Sequence, residues 1–253
     1  MVEDLQKGQP STQAAKTGWR SWIAWISSIL SGAFLDDFSV FASVAGFLLF
    51  AFSMRLYPAS IFPYSWFPSM LAVYGFKVAF SAWVLAEIIN AILSRRNSKA
   101  KSQDKNSYWA VSVATWTAVI STFLVRQTGI GIFGGDMQYL GIGIALLGVL
   151  VHEWAIFSLG RQFSVRVQIQ DKATIVTKGP YRFIRHASYT GSLLTFVGFP
   201  LAIGTWLGAA FVLLVCVAAY NYRIRVEEEA MEKEFGPEYE EYRKKTWKLF
   251  PGY

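Results

Sequence analysis

From Ala187 to Tyr222 the chain runs without a single charged residue. As one helix this stretch of about 36 residues would be about 54 Å long, far more than the roughly 30 Å of hydrocarbon that one bilayer crossing requires. Gly198, Pro200 and Gly204 lie at its middle. Breakers there divide the run into two helices, so 187–222 reads as a helical hairpin whose ends return to the same side. Only 16% of the chain is charged while 53% is hydrophobic, whereas a soluble domain carries about a quarter charged residues. That balance excludes disorder and collagen and points to a membrane protein.

Further stretches at about 38–56, 68–93, 108–125 and 138–159 are uncharged or nearly so and long enough to cross a bilayer. With the hairpin they predict an all-α polytopic membrane protein of about six transmembrane helices. Residues 1–18 are polar, rich in Gln, Ser, Thr and Lys, and lack the apolar core of a secretory signal; they read as a disordered cytosolic tail. Over 19–35, Trp19, Trp22, Ile23, Ile26, Ile29 and Leu30 recur at helical spacing opposite Arg20, Ser21, Ser27, Ser28 and Ser31, the pattern of an amphipathic helix lying in the interface. The first four transmembrane helices then fill 36–158, and 159–253 holds the hairpin and most of the polar motifs.

The net charge of +7 could signal nucleic acid. Yet Arg95, Arg96, Lys99, Lys101 and Lys105, and the basic stretch from Arg161 to Arg185, sit in short loops between apolar runs. That is the juxtamembrane pattern, so the partner is membrane lipid and not nucleic acid. Connections at 57–67 and 127–136 carry no Lys or Arg, which puts the N-terminus, the loops at 94–107 and 160–186 and the C-terminal tail in the cytosol. Cys216, the one cysteine, lies in an apolar run and excludes an intrachain disulfide or a Cys-cluster metal site.

Charges inside spans are costly, about 3 kcal/mol each on insertion scales. Lys77 and Glu87 fall within the second stretch, where either substrate contact or snorkelling accounts for them. His152 and Glu153 invite a proton-relay or metal reading, but no second ligand stands four residues on and the other histidine is His186. A packed, hydrogen-bonded pair is the plainer interpretation.

The densest polar constellation reads LGRQFSVRVQIQDKATIVTKGPYRFIRHASYTG from Leu159, and RIRVEEEAMEKEFGPEYEEYRKK after the hairpin. It resembles the isoprenylcysteine carboxyl methyltransferase family and its wider phospholipid-methyltransferase relatives. The family pattern is an LGR-x-FS-like entry, then LVT-x-GPYR-x-x-RHPSYTG, a hairpin, and an R-x-x-x-EE helix ending FG-x-EY-x-x-Y. The match covers about residues 159–250. Ala187 stands where the family has proline, and Ala173 where a histidine is common; the ending KTWKLFPGY is unlike the PTG-x-PFI-like tail of animal members.

The resemblance implies a methyltransferase catalytic region over 159–253, with a cytosolic cofactor-binding loop and C-terminal helix, and S-adenosyl-L-methionine as cofactor. Family cofactor positions fall on Gln168, Ala173, Thr174, Ile175, Val176, Tyr181, His186, Ala187, Ser188, Tyr189 and Glu227. These types suit that ligand: an acidic residue for the amino group, a helix start for the carboxylate, and backbone groups for the base edge. Glu228, Glu229 and Glu232 read as the solvated face of the same helix. Arg223 stands one turn before Glu227 on the same helix face, so one can hold an anionic substrate while the other holds the cofactor. The implied reaction is methyl transfer to the carboxylate of a prenylated cysteine on CAAX-type proteins, at the endoplasmic reticulum. Phospholipid N-methylation is the alternative, and a non-catalytic scaffold or transporter a third.

Overall fold

The computed structural model describes residues 64–97, 104–164, 166–167 and 173–253. The expected tail at 1–18, the interfacial helix at 19–35, the first span at 38–56 and Gln168 lie outside the described residues. Six helices follow in order: α1 (Met70–Asn97), α2 (Ser107–Gln127), α3 (Asp136–Leu159), α4 (Ala187–Ala202), α5 (Trp206–Phe235) and α6 (Pro237–Lys245). Short 3-10 turns stand at Gly160–Gln162 and Gly179–Arg182. Pairing outside the helices, among the described residues, is limited to isolated bridges between Ile132 and Thr205 and between Ile184 and Trp247.

The packing of α1 shows what its sequence is for. Leu71, Val78, Leu85 and Ile92, seven residues apart, are exposed, while Ala72, Phe76, Ala79, Phe80 and Trp83 are buried. Helical periodicity thus separates a bulky outer stripe from an inner one. The inner rings meet α4 in an aromatic cluster, with Phe76, Phe80 and Trp83 each 5.5–5.9 Å from Phe199. Among the described residues four helices, α1, α2, α3 and α5, are long and apolar enough to cross a membrane, and their exposed apolar stripes match a lipid environment. The chain is an integral membrane protein.

The hairpin forms, but with unequal arms. The chain turns at Gly204, one of the three expected breakers, whereas Gly198 and Pro200 are accommodated inside α4. Gly204 turns the chain at φ +82°, a conformation that favours glycine, and Thr205 caps α5 by accepting from the Gly208 N–H at 3.1 Å. α4 has 16 residues, about 24 Å, so this arm falls short of a full crossing. α5 does not end at Tyr222 as the uncharged run suggested. It continues to Phe235 because the charged segment is made of strong helix formers and meets no breaker before Gly236.

α3 and α4 approach at their backbones. Gly141 and Gly148 on α3 and Gly191 and Gly198 on α4 face the partner helix: a Cβ at Gly148 would collide with Thr195 and Gly191, one at Gly191 with His152, and one at Gly198 with Ala145. Small residues at seven-residue spacing on both helices allow this contact. It sets His152 of α3 against the first turns of α4.

Candidate active site

A cavity of about 320 Å³ opens among α1, α2, α3, α5 and the loop before α4, within the size range of small-molecule sites. Ala173, Thr174, Ile175, Val176, Tyr181, His186, Ser188, Tyr189, Arg223 and Glu227 all line it. The structure therefore gathers the expected site residues from three separated segments. Ala187 does not line it; it is fully buried against Ala155 and Tyr181.

The loop is held from several sides. Gln162 accepts from the Thr174 N–H at 3.0 Å, and the Tyr242 hydroxyl of α6 donates to the Tyr181 carbonyl at 2.8 Å. Burial pushes the phenols of Tyr181 and Tyr242 well above their ordinary range, so both act as neutral groups. The C-terminal tail straps the start of α4: Arg185 N–H donates to the Trp247 carbonyl and His186 N–H to the Lys248 carbonyl, and Thr190 Oγ1 donates to the Leu249 carbonyl at 2.7 Å.

The His186 ring lies between two carboxylates, with Nδ1 3.6 Å from Glu227 and Nε2 3.0 Å from Glu228. Burial works against its charged form, but those two partners outweigh burial and raise its pKa above the usual histidine value. Glu228 also accepts from Arg185 at 2.7 Å. It is therefore part of the site's framework, contrary to its reading as solvated face, whereas Glu229 and Glu232 do make exposed pairs with Lys105 and Arg243. The signal that separates them is phase: Glu228 follows the buried Arg223–Glu227 face, and only the fold shows how far around the helix burial extends.

Arg223 is 3% exposed, so its guanidinium does not reach out to solvent. Its Nε donates to Glu227 at 2.9 Å and to the Tyr189 hydroxyl at 3.0 Å, and that hydroxyl donates to Glu227 at 2.5 Å. The expected placement of Arg223 and Glu227 on one face is realised as a direct i,i+4 pair. Nη1 binds Asp104 at 2.5 Å and Ser107 at 2.9 Å. Asp104 was not singled out from the sequence. It lies in a basic loop, and only the tertiary fold brings it to Arg223, where it also accepts from the Tyr108 N–H at 3.0 Å and from the Ser107 hydroxyl.

The intramembrane charges divide. Lys77 stands 5.6 Å from the ring centres of Tyr64 and Tyr74 and is not among the cavity-lining residues. Glu87 and His152 do line it, together with Asn90. His152 and Glu153 are not a hydrogen-bonded pair: they stand 4.0 Å apart. His152 Nδ1 instead bonds to the Ser188 carbonyl and Ser192 hydroxyl, both at 2.9 Å, while Glu153 accepts from Asn90 at 2.8 Å.

Fold and site together define a helical membrane protein in which a small-molecule cavity joins an extramembrane loop to the interior of the bundle. Residues 141–233 match the model of the Isoprenylcysteine carboxyl methyltransferase (ICMT) family, which bears out the resemblance read from the motifs. A "Probable protein-S-isoprenylcysteine O-methyltransferase" of Oryza sativa subsp. indica is 31% identical over 117 residues, 46% of this chain and 61% of that protein. The Schizosaccharomyces pombe protein-S-isoprenylcysteine O-methyltransferase is 31% identical over 111 residues, 43% of this chain and 47% of that one. The chain thus spans about three fifths of the rice relative's length. Among solved structures, the eukaryotic intramembrane Ras methyltransferase ICMT superposes with a TM-score of 0.55 at 20% identity, covering 72% of this chain and 67% of that one. That likeness establishes the fold.

Proposed function

We propose that this chain transfers a methyl group from S-adenosyl-L-methionine to the carboxylate of a prenylated cysteine, with CAAX-type proteins as substrates. The carrying observation is the single cavity that joins the polar loop, where the family's cofactor positions lie, to the membrane-embedded faces of α1, α2 and α3. A water-soluble donor and a lipidic acceptor can then meet within one site.

The residues present fit the donor. Glu227 would hold its amino group, the backbone of Ala173–Val176 its base edge, and Tyr181, Ser188 and Tyr189 the surrounding wall, with Gln168 added on the resemblance. His186 and Arg185 keep Glu227 and Glu228 ionised and in place. The cofactor, when bound, supplies a methyl group on a sulfonium cation. With Glu227 turned to the cofactor, the Nε edge of Arg223 becomes available to the acceptor carboxylate while Asp104 continues to fix Nη1. A carboxylate is ionised at neutral pH and needs no general base, so alignment and exclusion of water suffice.

In this reading 159–253 is the catalytic region and its site faces the cytosol, at the endoplasmic reticulum by analogy. Counting the first span at 38–56 and the short arm α4, which reaches only part of the way across, the chain has about six membrane-inserted helices, preceded by the interfacial helix at 19–35. The test is transfer of radiolabelled methyl from S-adenosylmethionine in membranes supplied with a farnesylcysteine analogue and, separately, phosphatidylethanolamine. Label in the farnesylcysteine ester is expected. Label only in the phospholipid would replace the proposal with N-methylation.

A further inference from the structure

We infer that a second cavity, where the charged half of α5 runs beside the start of α2, binds the headgroup of an anionic phospholipid. It is distinct from the cavity of the proposed methyl transfer, and the inference does not rest on that function. Its volume is about 500 Å³, within the range of small-molecule sites.

The charge of its lining carries the argument. The cavity is bordered by the cations Lys105, Arg166 and Lys233 and by the carboxylates Asp104 and Glu229. Asp104 is already paired with Arg223, a residue of the main cavity. Glu229 is met by Lys105 at 2.5 Å. Lys233, in the last turn of α5, makes no ion pair or hydrogen bond among the described residues. The lining thus holds more positive charge than its own acids balance, and an anion is its complement. The walls are fixed. Val167 packs on Val226 and Ala230 of α5, and the neighbouring Arg166 guanidinium lies 5.0 Å over the Tyr108 ring, which meets the Trp109 ring edge-on at 5.4 Å. Across from α5, the turn into α2 is held by the Asp104–Arg223 pair and by the Tyr222 hydroxyl, which donates to the Lys105 carbonyl at 2.8 Å.

The rim makes the ligand a lipid and not a soluble anion. Trp109 borders the cavity and is 44% exposed, and Val113, Ile120 and Leu124 continue its exposed face along α2. An amphipathic indole at the polar end of an apolar stripe is the arrangement of a membrane interface. A phosphate seated among Lys105, Arg166 and Lys233 leaves its acyl chains to lie along that stripe. The basic run Arg95, Arg96, Lys99, Lys101 and Lys105 between α1 and α2 draws anionic lipid to the same end of the molecule.

The test titrates full-length protein in detergent with phosphatidylserine and, separately, with phosphatidylcholine of the same chains, and reads Kd from the lipid adducts seen by native mass spectrometry. Wild type is expected to favour phosphatidylserine about tenfold or more, as befits charge-assisted bonds to a phosphate whose headgroup brings no net cation. Lys233→Glu is expected to bring the ratio within about threefold of one, and Lys233→Gln to lower it by a smaller factor. Lys244→Glu, the same charge reversal on the exposed Lys244 of α6, should leave the ratio within about twofold of wild type, with an unchanged Tm as the check on folding in all three. Glycerophosphoserine, the same headgroup without chains, should not displace the lipid at millimolar concentration, and Trp109→Ala should weaken lipid binding. A wild-type ratio near one overturns the site, and so does an equal loss in Lys233→Glu and Lys244→Glu, which would mean diffuse surface charge. Displacement by glycerophosphoserine with no effect of Trp109→Ala would make the ligand a soluble phosphate and overturn the lipid assignment. The readout is lipid binding alone, so a failed methyl-transfer assay leaves the outcome intact.

Discussion

Removing the Asp104 carboxylate should cost this protein more than any other single change in its extramembrane loops. Asp104 and Arg223 make a 2.5 Å ion pair whose side chains are 7% and 4% exposed. Breaking a pair so buried by deleting one partner typically costs about 3–5 kcal/mol, because the survivor's charge is left uncompensated. In Asp104→Ala, Arg223 keeps Glu227 at 2.9 Å, which favours the lower end, about 3 kcal/mol. The lost bond to the Tyr108 N–H at the start of α2 adds about 1 kcal/mol. About 4 kcal/mol corresponds to a fall in Tm of about 8–16 °C for a chain of this size. Thermal unfolding in detergent, followed by tryptophan emission, would measure it. The double variant Asp104→Ala with Arg223→Ala should be far less destabilised than the sum of the single ones, since removing both charges removes the uncompensated one. A loss below about 1 kcal/mol in Asp104→Ala, or strict additivity in the double variant, would refute the account of a buried counter-ion.

Other outcomes follow from the same geometry. Gly148→Val should destabilise by about 3 kcal/mol or more, because the new side chain meets the backbone of α4; unchanged Tm would mean the two helices do not pack at that point. Stability should depend on pH through His186. Its folded pKa is raised, so its contribution is complete below the unfolded value of about 6.5 and is lost as pH rises through the folded value; His186→Gln should flatten that part of the Tm profile, and an unaltered profile would exclude the residue as its source. Glu227→Gln should weaken S-adenosylmethionine binding by about tenfold or more, read by isothermal titration of protein whose far-UV circular dichroism matches wild type; wild-type affinity would remove Glu227 from the cofactor site.

Much of the cavity's lining between Ala173 and Tyr189, with Arg223 and Glu227 but not Ala187, coincides with motifs that stand out in the sequence because they are short-range. GPYR, RHASY and R-x-x-x-EE each lie within a turn or two of chain, and i,i+4 spacing alone predicts that Arg223 and Glu227 share a face. The buried partners Asp104 and Asn90 were not legible, because each belongs to a segment without a distinguishing local pattern and acquires its role across helices.

What the sequence by itself determined is the apolar helices α1, α2, α3 and α5 and the existence of the hairpin, because hydrophobic length and the lack of charge act locally and need no partner. The tertiary structure alone decided which of the three breakers turns the hairpin, how far α5 runs, and which polar groups meet. Pro200 could remain inside α4 because the N–H groups beyond it find carbonyls there: Ile203 reaches Phe199 and Thr205 reaches Pro200 itself. The fates of the charges likewise differed: Lys77 found nearby aromatic rings, Arg223 found Asp104 far along the chain, and Glu87 lines the cavity. A buried polar group is stable only when its complement arrives, and that arrival is a property of packing.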